Sequence, residues 1–262
     1  MLIDARRKKA RDCATTHDVP AAVSPHPYLD IRMLPQPDDI SCGPTCLQAV
    51  YRYLGRRMEL GQLISEVPGL PEGGTLAVSL GNHALRLGYR ARLYTYHLKI
   101  FDPSWRGLDS GALIDKLEAQ LQHKHGKKFQ EASRAYIRFL KLGGEIALDD
   151  LRPRLLDHAF DAGLPVLTGL SATYLYDSCR EYTNRHNRAV YDDLRGEPTG
   201  HFVVLCGRQG RKVRVADPFI GNPLAEESHY YDVGVDRLIR AILLGVMTYD
   251  ANLLVLAEEK LP

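Results

Sequence analysis

The sequence is short of the features that define disulfide scaffolds, structural metal sites and membrane spans. It holds five cysteines in 262 residues: Cys13, Cys42, Cys46, Cys179 and Cys206. Five is an odd number, and a chain of this length buries a core without cross-links, which argues against a disulfide framework. Cys42 and Cys46 have no second cysteine pair and no H-x3–5-H cluster to complete a zinc site. No apolar run approaches the ~18 residues of a membrane span; Ala241–Val246 and Leu253–Leu256 fall far short. Charge of one sign is also lacking. Lys and Arg number 34 against 32 Asp and Glu, a net +2, which sets aside a strongly basic nucleic-acid binder and an acidic tail protein. Gly and Pro, 22 and 15 residues, are too few for a low-complexity chain. The basic start MLIDARRKKARDC runs into ATTHDVPAAV and not into an apolar stretch, so it is not a secretory signal. Residues 1–25 read as a mobile leader, residues 26–262 as one globular domain, and the location as cytoplasmic.

What is present is an ordered series of helix and strand signals. Prolines 20, 25, 27, 35 and 37 mark an extended entry segment. Cys46, Leu47, Val50, Tyr51 and Leu54 then share one helical face. Ser41 is placed to cap that helix, Pro44 fits its first turn and Gly55 its stop, so Cys42 falls at the helix N-terminus. Further helices are expected over 75–87, 111–122, 129–142, 148–162 and 236–244. Strands are expected over 89–98, 165–170, 201–206, 212–217 and 252–257, with a hairpin between the third and fourth. Residues 173–199 read as a polar, aromatic surface excursion, and 122–128 as a solvated basic turn. Helices ahead of an antiparallel sheet indicate an α+β protein of two lobes.

Four residues stand where a thiol chemistry would need them. A cysteine at a helix N-terminus feels about half a positive charge and free N–H groups, which favour thiolate, and Gly43 allows a close approach beside the sulfur. His201 opens a strand after Gly200, and Asp217 ends the neighbouring strand, about 5 Å away in backbone. A carboxylate there can accept the Nδ1–H of the imidazole and fix its tautomer. The Cys42 N–H and the Gln36 side-chain amide can serve as oxyanion donors. Taken singly, Cys42 is an ordinary buried thiol, His201 a structural histidine, Asp217 a turn opener before Pro218, and Gln36 uninformative. Their joint order and placement carry the reading.

The stretch QPDDISCGPTCLQAVYRYLG (36–55) resembles the N-terminal motif of the bacteriocin-processing cysteine peptidases, which cut after double-glycine leaders. GLPVLTGL (163–170) resembles that family's inner strand, and GHFVVLCGRQGRKVRVADPFIGN (200–222) its His-to-Asp hairpin. The resemblance implies a papain-like two-lobed fold, a helical lobe carrying the cysteine and a sheet lobe carrying His and Asp, with a helical insertion at about 102–145. It implies Cys42 as nucleophile, His201 as general base and acid, Asp217 as its orienting group and Gln36 in the oxyanion hole. Two departures stand out. Ser41 occupies a place where the family often has an acidic residue, and this chain shows neither the spans nor the ATP-binding domain of the exporter-linked members. It resembles a freestanding relative.

The expected activity is therefore hydrolysis of a peptide amide through a Cys42 acyl-enzyme, acting on a peptide or protein substrate. No cofactor, metal, nucleic acid or membrane span is implied. The same thioester can instead be passed to an amine or thiol acceptor, and the same fold can bind peptides without turnover. Cys46 and Cys206 read as core; Cys13 and Cys179 have no evident partner. His83, His97 and His158 are scattered, and GLPEGG (69–74) lacks the Lys-Ser/Thr of a phosphate loop. Trp105, Tyr174, Tyr176 and Tyr182 are candidates for groove lining or lobe packing, and the helices at 110–142 for a lid, a partner surface or packing.

Overall fold

The computed structural model describes residues 28–70, 73–183 and 189–262. The expected leader, 1–25, lies outside the described residues, as does Cys13.

Helix α1 (Cys42–Tyr53) forms where the apolar stripe requires it, with Cys46, Leu47, Val50 and Tyr51 buried. It ends at Gly55, whose φ of +83° only glycine adopts without cost. Ser41 sits at the N-cap position, but its side chain does not cap the helix; the hydroxyl donates to Asp38 Oδ1. A short helix α2 (Leu60–Glu66) follows, burying only Leu63. Helix α3 (Ala77–Arg86) and strand β1 (Arg90–Thr95) lie within their expected spans. Helix α4 (Ser110–Leu121) starts at Asp109, whose carboxylate accepts the Ala112 N–H at 2.8 Å. Helix α5 (Lys127–Lys141) leads through Gly143 and Gly144 into strand β2 (Glu145–Ala147).

Helix α6 (Pro153–Asp161) is shorter than the expected 148–162. Arg152 is held extended, at φ −129° and ψ 156°, because the residue before a proline is crowded out of the helical region. Strand β3 (Val166–Ser171) is buried throughout. The segment expected to be a surface excursion lies mostly at the surface from Asp177 onward, and it holds helix α7 (Ala172–Tyr176) and the hairpin β4 (Glu181–Thr183) and β5 (Ala189–Tyr191). Then come β6 (Gly200–Gln209), β7 (Lys212–Ala216), β8 (Tyr230–Gly234), α8 (Val235–Leu244) and β9 (Asn252–Ala257).

Seven strands form one sheet in the order β2-β1-β9-β3-β6-β7-β8. Every pairing is antiparallel except β1 with β2. The class is α+β, as expected. One core lies between the sheet and helices α1, α3, α4 and α5, and includes Leu47, Tyr51, Leu80, Leu117, Phe139 and Phe202. A second core covers the opposite sheet face with α6, α7 and α8, and includes Leu156, Leu175, Val203, Leu205, Leu238 and Ile242. The sheet therefore carries helices on both faces.

Helices α4 and α5 pack; they do not hang over the surface. Phe129, Ala132, Tyr136, Phe139 and Leu140 of α5 are buried in the first core. The Phe139 ring lies against two glycines: a Cβ at Gly81 would come within 2.6 Å of it, and a Cβ at Gly144 within 2.5 Å. These contacts fix α5 against α3.

Candidate active site

The site is assembled where α1 begins, where β6 begins and where β7 ends. Residues 28–36 are tied along the sheet first. Leu29 N–H donates to Cys206 O, and Tyr230 Oη donates to Ile31 O at 2.8 Å and accepts from Met33 N–H at 3.0 Å. Gln36 N–H donates to Pro218 O at 3.0 Å, which joins the chain ahead of Cys42 to the loop after Asp217. Asp38 then closes the turn into α1, accepting from Ile40 N–H and from the Ser41 hydroxyl. The Ser41 hydrogen bond holds the Asp38 carboxyl below its usual range, so an acid stands four residues ahead of Cys42.

Cys42 is the first residue of α1 and is 7% exposed. The amides of Cys42 and Gly43 belong to a first turn with no intrahelical acceptor, and Pro44 has no N–H to compete with them. Gly43 is fitted closely: an added Cβ would meet Phe202 at 3.3 Å and Leu80 at 3.4 Å.

His201 and Asp217 come together through register. Ala216 pairs with Val204, so Asp217 lies diagonally from His201 on the same sheet face, within side-chain reach. His201 Nε2 bonds Asp217 Oδ1 at 2.8 Å. This corrects the nitrogen: the carboxylate takes Nε2 and not Nδ1, because the imidazole enters from the strand with its far edge toward the loop. Cys42 lines the same cavity as this ring and is close enough to favour its charged form, and Nδ1 is the nitrogen that Asp217 does not take. Burial presses the His201 pKa down, but the Asp217 charge and hydrogen bond, with Cys42 beside it, outweigh this and raise it to about 10. Asp217 and Cys42 thus both favour the protonated form of the ring.

Asp217 is fully buried and is ringed by donors. Besides His201, Oδ1 accepts the Phe219 N–H at 2.9 Å, and Oδ2 accepts the hydroxyls of Tyr176 at 2.7 Å and Tyr231 at 2.8 Å. Burial pushes the carboxyl upward, and the His201 charge with these hydrogen bonds carries it below its ordinary value. Both tyrosine hydroxyls are pushed far up by burial and by Asp217. Tyr231 escaped the sequence reading, although Tyr230–Gly234 alternates out and in as an exposed-buried strand. Tyr176, a candidate for groove lining or packing, lines a cavity beside the site and is also a partner of the carboxylate.

Gln36 is placed beside this group but points differently from the expectation. Its Nε2 donates to Asp38 O at 2.8 Å, and its Oε1 is buried without a partner. With Tyr176, His201 and Phe219 it lines a cavity of about 370 Å³ adjoining the site. A second hydrogen on Nε2 is the one that would face an oxyanion.

A larger cavity of about 700 Å³ opens on Cys42 and His201, with Thr75, Tyr182 and Thr199 among its walls. The β4–β5 hairpin thus supplies one wall of the candidate site. Cys46 donates to Phe202 O and Cys206 to Val204 O, and burial raises both thiols, Cys206 to about 12; both are core. Cys179 is exposed. His83 is a structural link between Tyr51 and Glu66. Trp105 packs on Phe101 and Tyr174 under Arg237, away from the cleft. Among the described residues, no helix is long and apolar enough to cross a membrane.

No protein-family model and no curated protein matches the chain. Solved structures do resemble it. A protein described as a C39-like peptidase from Bacillus anthracis shares 13% identity at a TM-score of 0.44, over 88% of this chain and 96% of that one. The peptidase domain of Streptococcus ComA, a bifunctional ABC transporter, shares 12% at 0.40, over 87% and 99%. A double-glycine motif protease from an AMS/PCAT transporter, solved with its leader peptide, shares 13% at 0.40, over 89% and 96%. The chemistry of the site rests on this chain's own residues.

Proposed function

We propose that the protein is a thiol hydrolase that cleaves a peptide amide bond through Cys42, His201 and Asp217. The observation that supports this most is one imidazole with two partners. His201 hydrogen-bonds the buried Asp217 through Nε2 and shares a cavity with the helix-terminal Cys42, which also bears on the ring's charge. In this reading His201 takes the Cys42 proton, leaving a thiolate beside an imidazolium. The sulfur adds to the scissile carbonyl, and the charge that develops on oxygen is met by the α1 amides and by Gln36. His201 returns the proton to the leaving amine and then activates the water that releases the acyl group. Asp217 keeps the ring oriented through both transfers.

The test is turnover of a peptide library by the wild type and by Cys42→Ala and His201→Ala, with folding followed by circular dichroism. Both variants are expected to fold and to lose cleavage by at least about a thousandfold. Cleavage retained in Cys42→Ala would overturn the reading. Running the wild type with an added acceptor amine separates hydrolysis from acyl transfer, since transfer would yield an acceptor-linked product.

A further inference from the structure

The cavity beside Cys42 and His201 contains a carboxylate that the chemistry above does not use. Asp250 precedes β9 and lines this cavity, yet is 5% exposed. Its surroundings are shaped for it. A Cβ on Gly169 of β3 would come within 2.7 Å of the Asp250 Cβ, and a Cβ on Gly200 of β6 would overlap Oδ2. Two adjacent strands therefore leave out a side chain where this carboxyl sits. The Thr248 hydroxyl reaches Oδ2 at 2.9 Å. Gly200 immediately precedes His201, and the carboxyl and the imidazole line the same cavity.

The charges around it leave room for a cation. Among the described residues lining the cavity, Asp39, Glu181, Glu197 and Asp250 are met by two basic groups, Lys128 and His201. Lys128 makes no ion pair with Asp250; its ammonium lies over the Tyr249 ring, 4.7 Å from the centroid. Burial raises the Asp250 carboxyl to about 7, with Thr248, Lys128 and His201 drawing it the other way. A desolvated carboxyl in this condition gains most from a cationic hydrogen-bond donor that arrives from the cavity.

We propose that Asp250 is the specificity residue of this cleft and receives a lysine or arginine side chain of the peptide substrate, a residue or two from the bond that is cut. The inference rests on the thiol-hydrolase reading. It deepens that reading by naming the substrate class as basic peptides.

The experiment uses the full chain and a peptide library, with cut sites read by mass spectrometry and Cys42→Ala as the blank. A matched series then places lysine, norleucine or glutamate at the position the library selects. The expected kcat/KM falls in that order, with lysine over norleucine by about tenfold or more. In Asp250→Asn that ratio is expected to fall to about one while the norleucine peptide is still cut. A flat series in the wild type, or an undiminished lysine preference in Asp250→Asn, would overturn the proposal and leave the hydrolase reading standing. If Asp250→Asn fails to fold, the wild-type series decides alone. If no Cys42-dependent cut is found, the hydrolase reading fails, and the proposal falls with it.

Discussion

Removing one oxygen atom from Tyr176 or Tyr231 isolates the support that Asp217 receives. Each hydroxyl donates to Oδ2 of a carboxylate that solvent does not reach. Tyr→Phe keeps the ring and deletes the donor. A hydrogen bond to a charged group contributes about 1.5–3 kcal/mol. For a chain of this length each kcal/mol moves Tm by about 2–4 °C, so each single variant is expected to lose about 3–12 °C. The double variant leaves Oδ2 buried with neither donor, so its loss should equal or exceed the sum. The pH dependence supplies a second readout. The Asp217 pKa is depressed, so its contribution is present above the unfolded value of about 3.9 and is lost as pH falls through the lower folded value. Deleting a donor raises that folded value, and the acid midpoint of unfolding and of turnover must move up. Differential scanning fluorimetry across pH measures the first, and a pH–rate profile the second. Two variants with Tm within a degree of wild type and an unmoved acid midpoint would refute the idea that these tyrosines hold the carboxylate.

Three further outcomes follow from the same contacts. Gln36→Ala is expected to lower kcat by about 10²–10³-fold with little change in KM, the pattern of a donor used only in the transition state; an equal rise in KM would place Gln36 in substrate binding instead. The folded-state pKa of His201 is raised to about 10, so its stabilising contribution is full below about 6.5 and is lost as pH rises through the folded value. The destabilisation caused by His201→Gln, measured by chemical unfolding, should therefore shrink toward pH 10; a constant difference would count against the raised value. Phe139→Ala should cost about 3–5 kcal/mol by opening a void between Gly81 and Gly144, and a loss under 1 kcal/mol would show that α5 is only loosely applied.

The parts of the fold with strong local signals were legible in the sequence. The stripe through Cys46, Leu47, Val50 and Tyr51, bounded by Pro44 and Gly55, located α1 to within a residue or two. The hairpin of β6 and β7 was readable because its apolar runs flank Gly210, which takes φ +57° in the turn. Short elements were not readable. Helix α2 buries one residue and β2 spans three, too little for a periodic signal. Strand β8 did alternate, with Tyr231 and Val233 inward, but the polar loop before it masked the pattern. At the candidate site, Cys42, His201 and Asp217 were named from order and placement, and the structure brings them to one place. The nitrogen that faces Asp217 was not, because ring orientation depends on how the strand end meets the loop. Tyr176 was named only as a groove or packing candidate and Asp250 was not named, for a similar reason: each reaches the site from a distant segment, and only the sheet order brings them there.

Two cysteines of opposite exposure allow the most direct test of activation at residue 42. Cys179 is open to solvent, whereas Cys42 is 7% exposed. Accessibility alone would have iodoacetamide label Cys179 first. The measurement is site-resolved alkylation by mass spectrometry at pH 6–7 on the intact protein, in wild type and His201→Ala. The expected result is faster labelling of Cys42 than of Cys179 in the wild type, reversed in His201→Ala. Cys42 labelling more slowly than Cys179 in both proteins would contradict an imidazole-activated thiolate.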